Sequence, residues 1–446
     1  MTWLYTFFAL DVCALLALWP VAHVTSIRDL LLVLGTIIGG YLFYRDRDVY
    51  AAPLRVGNIR RPIVLIAALT VWILFVAVFV SKETLWSLDE LRGQWVRTLV
   101  AFVLGGLTAA VLCRDDKNAK RFMLVLFGVF LFHVLAVDIG AVSAWYTGRP
   151  AFRMTGLTDG PDKASYLTDI TIALIFGEVV ARQVANKSLI RLPWWILALA
   201  FAVAFSSFYA EGIRNAAGVA VIMGVCLCWI MLTRAKHRPT PSKLSYRATL
   251  LLLGALVGLS ALASVIRPAP AWERTIASVP FALDTDTYKG WLNISKYGMP
   301  KLSDGRDVDD SAYLRIAWFK EGLELAWENP LGVGYGRNAF GHAMEAKYGE
   351  TKGHSHSSFI DLLLGIGFPG VALWLLFVGT LLALGFKNIS SGWGSLLFFV
   401  VLDFGARMFV DSNMRDHMLH SFMFLAALLA ILTVREVQAQ PHNAVP

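Results

Sequence analysis

The stretch Gly353-His354-Ser355-His356-Ser357-Ser358 sets two imidazoles two residues apart, where a polar loop turns into an apolar run. An imidazole at that depth sits out of bulk water yet faces a lipid headgroup, which suits general-base work near neutral pH. Histidines at such boundaries also serve purely structural ends. Residues at i and i+2 do not share a helix face, which argues against a zinc pair on one helix. His133, alone in an apolar run, reads as a packing residue.

Arginines form the second set. Arg214 lies in Tyr209-Ala210-Glu211-Gly212-Ile213-Arg214-Asn215, a very short link between two apolar runs. A cation at the edge of hydrocarbon is costly unless paired. Glu211 can be the partner. So can a diphosphate, because guanidinium forks match phosphate oxygens at two points. Arg315 projects from an amphipathic loop segment, and Arg153 lies in Phe152-Arg153-Met154-Thr155-Gly156. Each alone fits a solvated surface; three on one face would make an anion site. Arg337 in the long loop and Asp411 at the end of a later apolar run complete the binding candidates, with Asp411 placed to hold an imidazole or an arginine.

Membrane helices must position these groups. Of 446 residues, 57% are hydrophobic and 16% charged, a balance that leaves too little polar surface for a soluble domain. Apolar runs at 3–22, 28–44, 62–80, 94–112, 121–141, 165–181, 194–209, 215–233, 248–266, 357–385, 394–410 and 417–434 are long enough to cross a bilayer core. They are continuously apolar and do not alternate, so they read as helices rather than barrel strands. The expected fold is all-α and polytopic, with about twelve transmembrane helices. The first run lacks a basic leader and reads as a retained helix. The organisation expected is helices over 1–266, a large loop domain over 267–356, and helices with a tail over 357–446. Within the loop, 311–328 carries apolar residues at helical spacing and Asn329-Pro330 ends it.

Basic residues set the orientation. Arg45, Arg47, Arg55, Arg60 and Arg61, then Arg114 to Arg121, Arg182 to Arg191 and Arg234 to Arg247 occupy alternate links. The positive-inside rule makes those links and both termini cytoplasmic, and the 267–356 segment extracytoplasmic. The net charge of +8 is then topological and gives no nucleic-acid footprint. Cys13, Cys113, Cys226 and Cys228 fall in or beside apolar runs and read as buried hydrophobes. There is no Walker A, HExxH or EF-hand pattern. The glycines of Leu331-Gly332-Val333-Gly334-Tyr335-Gly336 follow a helix and a proline, which favours a tight turn over a nucleotide loop. Asp309-Asp310 reads as a solvated turn, and Asp284-Thr285-Asp286 as a weak cation motif.

The block from Asn329-Pro330 through Gly336, then His356 with Phe359, Leu363, Gly367 and Gly370, resembles the shared core of the O-antigen ligase and polymerase superfamily. Arg315 with Trp318, Arg153-Met154-Thr155-Gly156 with Pro161, and Arg214 in its short link match the same pattern, and the resemblance spans roughly 150–375. Ser357 and Asp162 stand where the family usually has asparagine. Within the superfamily the chain looks most like the lipopolysaccharide ligase. That resemblance implies an undecaprenyl-diphosphate-linked glycan donor and a lipid A–core acceptor in the outer leaflet of the bacterial inner membrane. It also implies transfer without metal or other cofactor, with inversion at the anomeric carbon. His356 would be the base, His354 its assistant, and Arg214 and Arg315 the groups that neutralise the leaving diphosphate. The same donor serves O-antigen polymerases and protein O-oligosaccharyltransferases. A transporter or flippase would instead place ionisable groups near mid-membrane, in paired repeats.

Overall fold

The computed structural model describes residues 2–50, 57–234, 269–350 and 353–439. Among these residues there are helices and turns and no strands. The first helices are α1 Thr2–Leu18, α2 Thr25–Arg45, α3 Gly57–Phe75 continued by a wide π turn over Val76–Val80, and α4 Thr84–Val111. They continue with α5 Asp116–Tyr146, α6 Pro161–Gln183, α7 Trp194–Glu211 and α8 Arg214–Arg234. After the loop helices α9 Ala269–Leu283, α10 Asp310–Glu328 and α11 Ala339–Tyr348 come α12 Ser358–Lys387, α13 Gly392–Arg407 and α14 Asp416–Ala439. Nine helices among the described residues, α2 to α8, α12 and α14, are long and apolar enough to cross a membrane. The chain is an all-α polytopic membrane protein. The expected run 248–266 lies outside the described residues, and every other expected run coincides with a helix, α1 and α13 being the short ones.

Two helices, α6 and α14, are buried along their whole apolar length and form the centre of the bundle. That burial explains why they carry apolar side chains all round instead of on one stripe. Helix α14 packs along α4, and α13 packs between α6 and α12.

The links are sorted to two ends. At one end the Ala22 amide donates to Leu157 O at 3.0 Å, Met154 N to Ala210 O at 2.9 Å, and Ser358 N to Asp411 O at 2.9 Å. These bonds gather the α1–α2, α5–α6, α7–α8 and α13–α14 links at the end where the segment 284–350 lies. At the other end Tyr5 bonds Asp46 at 2.8 Å, Lys187 pairs with Glu436, and Arg435 donates to Cys113 O. Among the described residues, basic links around 46, 113 and 187 thus lie at this second end, and most of the link 234–247 lies outside the described residues.

Helix α12 is interrupted. Gly367 has φ +66° and ψ −179°, and Pro369 follows. The freed backbone groups are satisfied by the glycine turn: Val333 N donates to Leu364 O at 2.7 Å, and Phe368 N to Pro330 O at 3.0 Å. Trp72 Nε1 covers Ile366 O at 2.8 Å. Non-helical backbone at membrane depth persists only where protein satisfies it. A Cβ on Gly332, itself at φ +94°, would come within 2.7 Å of Gly365 O. The tight-turn reading of the glycine run therefore holds, and its purpose is to clasp the break in α12.

Candidate active site

His354 and His356 lie in the non-helical approach to α12, whose first turn is capped by the Ser357 hydroxyl accepting from Ile360 N at 3.5 Å. His356 has φ +59°, a left-handed backbone that costs a non-glycine residue about 1–3 kcal/mol. Its ring stacks on Trp318 of α10, with centroids 5.6 Å apart and planes 12° from parallel. Trp318 is itself fixed by donating Nε1 to Trp291 O at 3.0 Å. Among the described residues no protein group hydrogen-bonds either ring nitrogen of His356, so the imidazole is held by its faces and backbone and its nitrogens are open to a ligand.

His354 is differently placed. Its ring centroid is 4.3 Å from that of His356, and its Nδ1 receives the His356 amide at 3.3 Å. Ser412 Oγ lies 3.0 Å from the same Nδ1. Two neighbours at one acceptor assign the proton to Nε2. Burial lowers the pKa of His354 to about 3, and the Arg415 charge acts in the same direction. Burial also lowers His356, with Arg315 the next cause. Both imidazoles are neutral at physiological pH.

The charges of Arg153 and Arg214 reach Arg315. Burial lowers the pKa of Arg315; Asp411 and Asp162 raise it, and the Arg153 and Arg214 charges act on it in the lowering direction. Arg315 Nη1 reaches Val410 O at 3.4 Å, and Asn215 Nδ2 donates to the same carbonyl. Arg153, at φ +58°, is in a loop tied to the end of α7 by the Met154–Ala210 bond. Arg214 pairs with Asp309 at 3.2 Å, and Glu211 instead accepts from Thr168 Oγ1 at 2.6 Å. That corrects both the expected Glu211 partner and the solvated-turn reading of Asp309. Asp309 is buried as the N-cap of α10, accepting from Ala312 N at 3.0 Å. Burial pushes its carboxyl up, but the Ala312 amide, Thr275 and Arg214 outweigh this and leave it below the ordinary range. The signal in the sequence was the Asp-x-x-Ala start of a helix, a cap position. Asp284 also proves a local turn residue, accepting from Thr287 N at 3.2 Å, and Thr285 O takes Trp291 Nε1 at 3.0 Å.

Asp411 does hold an arginine, but not one anticipated. Arg407, wholly buried, donates to Asp169 at 2.6 Å, Asp411 at 2.8 Å and Asp162 O at 2.9 Å. A buried guanidinium demands such a full set of acceptors. The cluster fixes the Asp411-Ser412 link, and Ser412 in turn meets His354. Arg407 was missed because it sits at the end of an apolar run where hydropathy says nothing of partners. Arg337 is engaged elsewhere, with Glu90 at 2.8 Å and Asp416 at 2.9 Å. His133 Nε2 lies 2.9 Å from Ala17 O, and the four cysteines are free.

A cavity of about 420 Å³ opens at His356 and Arg315. Its wall is apolar, from Leu283, Ile316, Phe319, Leu323 and Phe409. It joins a hydrocarbon-compatible trough to a neutral imidazole, the Arg315 guanidinium and the Lys320 ammonium. Such a site can take up a lipid whose head is anionic, and remove a proton beside it.

Residues 199–375 match the family model described as O-antigen ligase, a segment that holds Arg214, Arg315, His354 and His356. That match, over about two fifths of the chain, supports an O-antigen ligase/polymerase superfamily member. No curated protein matches the chain. The matched family suggests a multi-pass membrane enzyme of glycan transfer and implies, in general, a lipid-linked glycan and a lipid-anchored acceptor. Arg153 and Asp411 lie outside the matched segment and reach the site only through the tertiary fold.

Proposed function

We propose that this protein is the ligase that moves O-antigen glycan from undecaprenyl diphosphate to a sugar hydroxyl of lipid A–core, completing lipopolysaccharide on the periplasmic face of the bacterial inner membrane. The observation that carries the reading is the unbonded, neutral His356 imidazole at the mouth of an apolar cavity shared with Arg315. In this reading the segment 267–356 is a periplasmic loop domain, the termini are cytoplasmic, and the cavity holds the isoprenoid end of the donor.

His356 accepts the proton of the acceptor hydroxyl as its oxygen attacks the anomeric carbon. The bond from that carbon to the diphosphate oxygen breaks, and the diphosphate leaves with the electron pair. Attack opposite the leaving group inverts the centre. Arg315 and Arg214 meet the growing negative charge with guanidinium dipoles already in place, so little reorganisation is needed. Arg153 binds the phosphate side and His354 orients its neighbour. The diphosphate is already an activated leaving group, and the step uses no metal.

The test is a transfer assay in liposomes with the lipid-linked glycan and defined lipid A–core, with and without EDTA. The ligase reading expects product in both conditions. Growth of the lipid-linked glycan itself would indicate a polymerase, glycosylation of an added protein acceptor an oligosaccharyltransferase, and loss with EDTA would refute the metal-free step. In cells, a deletion should leave rough lipopolysaccharide while lipid-linked polymer of normal length accumulates.

A further inference from the structure

A second cavity, of about 270 Å³, opens at the same end of the bundle, between the α1–α2 link and the start of α14. Its walls are charged where the first cavity is apolar. Arg97 pairs with Asp29 at 2.8 Å, and Lys163 with Asp159 at 3.0 Å and Asp416 at 3.1 Å. Arg337 joins Asp416 and Glu90, and Arg28 rests on Trp19 O and Thr25 Oγ1 at 2.7 Å for the latter. Apart from Arg28, every cation named here is already neutralised by a carboxylate, so an added anion gains little.

Three further side chains in the wall each keep one unused nitrogen, although Gln94 Oε1 accepts the Asp416 amide at 3.0 Å. Gln94, His417 and His420 are buried, and the Nε2 atom of each has no hydrogen-bond partner among the described residues. Buried polar atoms without partners are rare enough to ask for a ligand. Two other lining residues, His23 at φ +62° and Asp416 at φ +48°, hold left-handed backbones without being glycine. Such strain persists where the surroundings impose it and clusters at binding sites. Exposed His23, Thr25 and Asp159 bring the cavity to the surface.

A small pocket adjoins the second cavity through Arg337. Arg337 lines it with Ser358, Asp361 and Arg415. The Arg415 charge acts on both His354 and His356.

We infer that this cavity is a second glycan subsite, which binds an uncharged, hydroxyl-rich sugar residue of one of the two substrates while the reacting centre lies at His356. Interleaved donors and acceptors of balanced charge suit vicinal hydroxyls, each of which gives and takes a hydrogen bond. Arg337 then acts as a substrate-binding residue here and not at the diphosphate. The inference rests on the transferase reading for the identity of the sugar.

The experiment uses the full-length chain in liposomes and the variants Gln94→Leu and Asp159→Ala, with Asp159→Asn as the milder companion. Transfer is measured with full-length and single-sugar donors, and with complete and truncated acceptors. Binding is measured separately by saturation-transfer NMR, with oligosaccharides freed by mild acid from the donor repeat and from the core. KM for one full-length substrate should rise about tenfold with kcat held, the truncated form of that substrate should be insensitive, and the matching free oligosaccharide should lose its signal. The substrate affected says which glycan occupies the site. Unchanged KM for both substrates, or equal loss with truncated ones, overturns the subsite. Absence of transfer with oligosaccharide binding still sensitive to the variants would sink the transferase reading and leave the subsite standing.

Discussion

Replacing His356 by alanine removes the imidazole from the mouth of the apolar cavity and leaves the protein around it in place. The structural cost comes from the stack on Trp318, 5.6 Å between centroids, and an aromatic contact of this kind contributes about 0.5–1.5 kcal/mol. The left-handed backbone at φ +59° strains alanine as it strains histidine, whereas glycine is relieved of about 1–2 kcal/mol. Against a folding stability of about 5–15 kcal/mol, neither variant empties the native state. The catalytic cost is larger. General-base transfer contributes about 10²–10⁴-fold, or about 2.7–5.4 kcal/mol at 1.36 kcal/mol per decade. His356→Ala and His356→Gly should therefore both melt within a few degrees of the parent in detergent and both lose transfer by at least two decades. His354→Ala should lose less, because His354 touches Ser412 and the His356 amide instead of the open cavity. The assay is lipid-to-lipid transfer in liposomes at matched protein, with melting followed in parallel. Transfer within threefold of the parent in a folded His356→Ala protein would refute the base assignment. A loss that tracks melting across the three variants would show that the histidine only packs.

Arg214→Ala and Arg315→Ala should each be severe in the same assay, and the lysine replacements only partial rescues, since a point charge lacks the two-pronged match to phosphate; full rescue by lysine would remove the fork from the argument. Burial and the Arg315 charge lower the pKa of His356, and the base works unprotonated. Transfer should therefore persist as pH falls through about 6.5, the ordinary histidine value, and fail only below it, as a pH–rate profile would reveal. The sign for stability is the same: protonation favours the unfolded chain, so stability is lost as pH drops below that ordinary value. Arg407→Ala strands the buried Asp169 carboxylate, bonded at 2.6 Å, and breaking one side of such a pair costs about 3–5 kcal/mol. A melting temperature within error of the parent would contradict it.

The sequence by itself determined the class and most of the elements. Uninterrupted apolar length specifies a membrane helix because hydrocarbon leaves backbone groups no other partner, and this sufficed for α2 to α8, α12 and α14. Helix α10 was legible from its period and from Asn329-Pro330, and His356 from its place at a loop-to-helix boundary. Pairing was decided by the tertiary structure. Arg214 finds Asp309, 95 residues on, instead of Glu211 three residues away, because the long segment folds back over the α7–α8 link. Arg407 looks like the end of an apolar run until Asp169 and Asp411 close around it. The reach of the Arg153 and Arg214 charges to Arg315, the pairing of Arg337 with Glu90 and Asp416, and the break in α12 at Gly367 are likewise products of packing. Local pattern fixes which segments enter the membrane, because transfer from water acts residue by residue. Charge partners depend on distances between segments far apart in the chain, and only the packed bundle sets those.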